Sequence, residues 1–205
     1  MQFAFTDEQE LLRREARQAL GNGGWSRDDI ASAELGFIDQ AVLYEEAGRA
    51  NLGESLFDES RPEDEKLAAL ALEAVGIAQN ALELGVAYAN DREQFGRKIG
   101  VYQAVSHQLA DTYVETELAR SLAYWAAWCV AENDEQKDVA IAAAKAYASD
   151  AAVAACERSI QVHGGIGFTW EHVLHEYYKR ALWIQAYGGY PRAQRAKVAA
   201  YLLGD

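Results

Sequence analysis

Two short stretches of this sequence combine residue types that bind anions. The first is Arg92-Glu93-Gln94-Phe95-Gly96. A planar guanidinium grips phosphate through parallel N–H donors, a phenyl ring can cover a base or a ribose, and Gly96 lets the chain turn. The second is QVHGGIGF, Gln161 to Phe168. Its paired glycines, Gly164 and Gly165, leave backbone N–H groups open to an anion, and Gln161 adds an amide. Each stretch also has a plainer reading. The first can be a helix C-cap with a basic last turn and one buried Phe. The second can be a helix stop with a left-handed glycine.

Little else in the sequence carries chemistry. His107, His163, His172 and His175 are scattered. His172 and His175 can share a helix face, but no third metal ligand stands nearby, so interhelical hydrogen bonds are expected of them and no metal. Cys129 and Cys156 have no motif spacing and read as core thiols of a reduced chain. Trp125, Trp128, Trp170, Trp183, Tyr177 and Tyr178 read as core and interface aromatics.

The elements that position these residues are helices. Thr6 with Gln9 forms a capping box that opens a helix ending at Gly21-Asn22-Gly23-Gly24. A second helix is expected from about Asp28 to Ala50, with Leu35, Ile38, Val42 and Leu43 on its apolar side. Residues Asn51 to Pro62 read as a loop. Long helices follow over about Glu63–Asn90, Tyr102–Glu132 and Glu135–Val162, then shorter ones near Glu171–Ala186 and after Pro191. Only two prolines occur, which favours uninterrupted helices. No alternating apolar–polar run suggests a strand. The expectation is an all-α antiparallel bundle with no sheet, the two anion-binding turns lying at helix ends.

Composition narrows the partners. The chain has 205 residues, half of them apolar, and a net charge of −13. It is globular, and its field repels nucleic acid and anionic membrane surfaces. No apolar run is read as long enough to span a bilayer. The opening MQFAFTDEQE lacks a signal-peptide pattern. A cytoplasmic location is expected.

Taken in order, the two turns and their flanking helices resemble the acyl-CoA dehydrogenase family. The resemblance runs from Leu67 to about Leu203. It is carried by AVGIAQNALELGVAYANDREQFGRKIGVYQAVSHQLADTYVETELAR, by AKAYASDAAVAACERSIQVHGGIGF and by TWEHVLHEYYKRALWIQAY. The start, FAFTDEQELLRREARQAL, resembles the first helix of the same family. The resemblance implies residues 1–60 as a remnant N-terminal helical region and residues 61–205 as a four-helix-bundle domain of the family's C-terminal type. It also implies FAD-dependent α,β-dehydrogenation of acyl-CoA thioesters in an oligomer, usually a tetramer. In that family a carboxylate removes an α-proton and hydride passes from the β-carbon to the flavin. The two turns reach across a dimer interface to the pyrophosphate and adenosine of the neighbour's FAD. Arg92, Phe95, Gln161, Gly164 and Gly165 match those positions.

Three departures accompany the match. The middle β domain is absent, because a dozen residues, Asn51 to Pro62, cannot form one. At the usual position of the catalytic base stands Gly188, which cannot take a proton. At the alternative base position, early in the first bundle helix, stands Lys66. Glu65 beside it is the remaining candidate base. Against it, Glu63, Asp64 and Glu65 can simply be first-turn acids that favour the helix dipole.

Two functions follow from this pattern. In one, the chain is a subunit without its own base, inactive alone, that contributes to FAD binding in an assembly with a full-length acyl-CoA dehydrogenase subunit. In the other, the bundle is redeployed as a homo-oligomeric scaffold, or as a flavin-free enzyme acting on a thioester or other ligand.

Overall fold

A computed structural model describes residues 5–21 and 35–204. The chain opens with α1 (Asp7–Gly21), and the capping box is formed: Gln9 N–H donates to Thr6 Oγ1 at 3.2 Å and Thr6 N–H to Gln9 Oε1 at 3.1 Å. The expected stop at Asn22–Gly24 and the expected start of the second helix at Asp28 lie outside the described residues. Within them, α2 spans Phe37–Arg49. Leu35 therefore precedes the helix rather than belonging to its face, while Val42 and Leu43 are fully buried. The segment read as a loop holds a single helical turn, α3 (Gly53–Leu56).

Three long helices follow: α4 (Glu63–Asp91), α5 (Gln103–Ala131) and α6 (Lys137–His163). Short connectors make neighbours antiparallel. Alanines at the contacts, among them Ala74, Ala119, Ala123, Ala148 and Ala152, are fully buried. Their small side chains let the backbones approach, and Leu70, Leu72, Val75 and Ile77 of α4 fill the space left, burying nearly all their surface. Each such aliphatic side chain contributes about 1.5–3 kcal/mol on leaving water. Shorter α7 (Leu174–Ala186) and α8 (Pro191–Leu203) pack against α6, and Pro191 occupies the first turn of α8, where no N–H partner is needed.

Two expectations need correction. The chain is not entirely free of sheet: β1 (Glu93–Gln94) and β2 (Arg97–Lys98) form a small antiparallel hairpin after α4. Two-residue strands are too short to show any alternation in sequence. In addition, α4 and the stretch Lys137–Phe168 are long and apolar enough to cross a membrane, although no such run was expected. Their apolar windows are 78% and 72% buried among the other helices, which identifies the apolarity as that of core helices.

α2 is tied to the bundle by buried ion pairs. Glu46 takes two bonds from Arg17 of α1, at 2.7 and 2.9 Å. Glu45 accepts from Arg120 of α5 at 2.8 Å and from the Tyr124 hydroxyl at 2.7 Å. Glu73 of α4 is gripped by both arms of Arg180 from α7, at 2.6 and 2.9 Å. Each carboxylate is almost fully buried, so its pairing is obligatory.

Candidate functional site

Arg92 occupies the C-cap of α4. Its backbone N–H donates to Tyr88 O at 2.8 Å and its carbonyl accepts from Ile99 N–H at 2.9 Å, so the backbone closes the helix and anchors the hairpin. The side chain is exposed and makes no ion pair or hydrogen bond among the described residues. At the hairpin tip both Phe95 (φ 54°) and Gly96 (φ 78°) have positive φ, as a type I′ turn requires. An aromatic residue there is strained. The Phe95 ring is 91% exposed, which excludes the reading of this stretch as a cap with a buried Phe.

The second stretch ends α6. Gly164 caps the helix at φ 62°, ψ −135°, a mirror-image conformation rather than the left-handed helical one expected of a plain stop, and one that only glycine adopts without strain. A 3₁₀ turn, Gly164–Phe168, follows. Neither Gly164 nor Gly165 has any atom within 4 Å of where a Cβ would lie, so this backbone faces open space.

The two ends meet. Arg92, Gly164, Gly165, Tyr88, His163 and Ile166 line one groove of about 580 Å³. Phe95 and Gln161 do not line it: Phe95 stands at the hairpin tip and Gln161 is exposed on α6. Among the described residues no carboxylate lines it either, in a chain of net charge −13. An unpartnered guanidinium, exposed glycine backbone and the absence of negative charge form a place for a phosphate or pyrophosphate. His163 and Tyr88 were not singled out as groove residues from sequence, although His163 lies inside the glycine motif itself.

Residues 64–203 match the family model for the acyl-CoA dehydrogenase C-terminal domain. The chain belongs to the acyl-CoA dehydrogenase family. Acyl-CoA dehydrogenase IpdE2 of Mycolicibacterium smegmatis is 36% identical over 146 residues, which cover 71% of this chain and 45% of that protein. Caffeyl-CoA reductase-Etf complex subunit CarC of Acetobacterium woodii is 31% identical over 134 residues, covering 65% of this chain and 35% of that one. Butyryl-CoA dehydrogenase from Megasphaera elsdenii superposes with a TM-score of 0.65 at 34% identity, over 68% of this chain and 36% of that structure. The chain thus spans less than half the length of these relatives.

At the opposite end of α4 lies the position that the resemblance assigns to the family's base. Gly188 follows α7 at φ 65°, and a Cβ there would come within 2.4 Å of Leu67 Cδ2. The same Cβ would lie 3.5 Å from Glu63 Oε1. Glu63 pairs with Lys66 at 2.9 Å. Glu65 instead pairs with Arg61 at 3.0 Å. Asp64 pairs with Lys137 at 2.7 Å, and although desolvation opposes it, the Lys137 hydrogen bond holds its carboxyl below the usual range. The carboxylate beside Gly188 is therefore Glu63, a relation that one helix's numbering could not reveal because it depends on where α7 ends.

The other residues singled out by their chemistry do not line the groove. Cys129 and Cys156 are buried free thiols, and burial pushes both up, Cys156 most. His172 and His175 make local hydrogen bonds rather than interhelical ones, to Leu174 N–H and to the His172 carbonyl. Trp170 is 77% exposed, whereas Tyr177 is buried and donates to Arg49 O at 2.8 Å.

Proposed function

We propose that this chain is an acyl-CoA dehydrogenase-like subunit that lends a pyrophosphate grip to FAD in a larger flavoprotein assembly. The observation that carries this reading is the groove where unpartnered Arg92 meets the open Gly164–Gly165 backbone. That geometry fits the pyrophosphate end of FAD. Phe95, exposed on the hairpin, would cover the adenosine side, and Gln161 would add an amide from α6. When bound, FAD supplies the hydride acceptor for α,β-dehydrogenation of an acyl-CoA thioester. A full-length dehydrogenase subunit would bring the β domain, the ring site and the base. Among the described residues no β domain lies between α3 and α4. A cytoplasmic oligomer, homo- or hetero-oligomeric, is part of the same proposal.

The protein's own residues bind and orient; they do not abstract the proton. Gly188 offers no side chain, and losing a positioned general base costs about 10²–10⁴-fold. The chain alone is expected to show no appreciable dehydrogenase activity. If turnover with an artificial acceptor appears, Glu63→Gln and Glu65→Gln separate the two neighbouring carboxylates.

The decisive experiment is co-expression with a full-length family member, followed by flavin quantification in the purified assembly. Arg92→Ala should reduce FAD retention roughly tenfold or more. Unchanged flavin content in every assembly would overturn the grip. A second reading, a redeployed bundle that is a scaffold or a flavin-free enzyme, is favoured by the packing of Gly188 against Leu67, which leaves no room for a base. Under it, the chain would purify as a flavin-free homo-oligomer and ignore the full-length subunit.

A further inference from the structure

A cluster of aromatic and imidazole rings adjoins the groove. His163, the last residue of α6, is buried yet lines the groove, and its ring stacks on Tyr88 at 4.4 Å between centroids. His172 lies 4.3 Å from it, centroid to centroid, with its ring tilted by 54°. Backbone hydrogen bonds choose the tautomers. His163 Nδ1 sits 2.7 Å from the Ser159 carbonyl, which can only accept, so Nδ1 carries the proton and Nε2 is left as the basic nitrogen. His172 Nδ1 accepts from Leu174 N–H at 3.3 Å, so its proton is on Nε2. His175 Nδ1 donates to the His172 carbonyl at 2.7 Å. As neutral rings, His163 thus offers a basic Nε2 and His172 an Nε2–H, and His163 itself lines the groove.

Among the described residues, His163 and His175 are the titratable groups that act on His172. Around these rings, from α4 come Tyr88 and Arg92, from the turn before α7 His172, and from α7 His175, which is covered by Trp170 with Lys179 above it at 4.1 Å. On the α5 side Glu115 is taken by Arg158 at 2.7 Å, with Asp111 also acting on that arginine. Among the described residues no carboxylate lines the groove to compensate an added proton. A second positive charge beneath Arg92 is therefore costly without an anion and favoured with one. Desolvation first, and then His163 and His175, keep His172 below the usual imidazole range.

Resting on the reading of the groove as a pyrophosphate grip, we propose that anion binding there is coupled to proton uptake by the His163–His172 pair. The ligand class is a pyrophosphate diester, and the pair is a positioning element whose charge state follows occupancy. By linkage, the anion binds more tightly as the pH falls.

The test uses the full chain and ADP-ribose, a pyrophosphate diester whose phosphate charge is constant between pH 5.5 and 8. Titration calorimetry in two buffers of different ionisation enthalpy reads proton uptake on the unaltered protein. Binding should be about three- to tenfold tighter at pH 5.5 than at pH 8, the same factor by which the bound anion strengthens the pair's hold on its proton. The His163 ring signals in an NMR spectrum should move towards those of imidazolium when ADP-ribose is added. His172→Gln should remove most of the pH effect while leaving binding sensitive to Arg92→Ala. Binding that depends on Arg92 but is equal at both pH values, with no proton taken up, overturns the coupling and leaves the grip intact. No binding at either pH by the lone chain or by its assembly with a full-length family member, or binding indifferent to Arg92→Ala, overturns the grip and the coupling with it.

Discussion

The two ends of α4 use glycine in opposite ways. At the Arg92 end, Gly164 and Gly165 face open space. At the Glu63 end, Gly188 is pressed against Leu67. The first pair keeps backbone available to something outside the chain, while the second closes a gap within it. The contrast teaches that this bundle leaves one glycine turn open to its surroundings and packs the other against its own helix.

The largest way to break the contrast is to restore the missing carboxylate. Gly188→Glu must adopt positive φ and displace Leu67, which together should cost about 2–4 kcal/mol of stability, measured by denaturant unfolding. A variant as stable as the parent would show that this end is not closed. Next in size is Arg92→Ala, which should weaken a charge-assisted phosphate contact by about 1.5–3 kcal/mol. It should leave stability within about 0.5 kcal/mol, because the side chain touches nothing that holds the fold.

A third test probes the closed side through Lys145, fully buried on α6 and donating to the Ile184 carbonyl in the last turn of α7 at 2.6 Å. Desolvation lowers its ammonium to about 8 from an ordinary value near 10.5. The unfolded chain then binds more protons than the folded one between those values, so this group's burden eases as pH rises. From pH 7 to 9 it should return about 1 kcal/mol of stability. The burial of Cys156 works against it, since that thiol ionises first in the unfolded chain. The difference between the parent and Lys145→Met unfolding curves isolates the lysine; parallel curves would remove it as a titrating group. The smallest effect is expected of Gly165→Ala, within about 0.5 kcal/mol in stability because its Cβ meets nothing, with a measurable loss of anion affinity.

Much of the fold was legible because long alanine-rich segments end at glycine turns, and the Thr6–Gln9 box marks a helix start that the structure forms. The juxtaposition of Glu63 with Gly188 was not legible, since it joins residues far apart in the chain. Nor was the cluster of Tyr88, His163 and His172, which needs the α4–α6 register and a 3₁₀ turn to come together. The hairpin escaped notice because its strands are shorter than the pattern that reveals strands. The types of the candidate residues could be read, but not which of them share a groove: Arg92 and the two glycines do, while Phe95 and Gln161 stand apart from it.

The hairpin and the helix end before it carry Arg92, Arg97 and Lys98 on a strongly acidic chain, with Lys98 paired to Glu93 at 3.1 Å. Two copies approaching at random repel, and salt relieves that repulsion by screening it. A partner that presents an acidic patch to the hairpin is instead steered by attraction, which salt weakens. The sign of the ionic-strength dependence of the association rate thus distinguishes encounter through the hairpin from encounter through the rest of the surface.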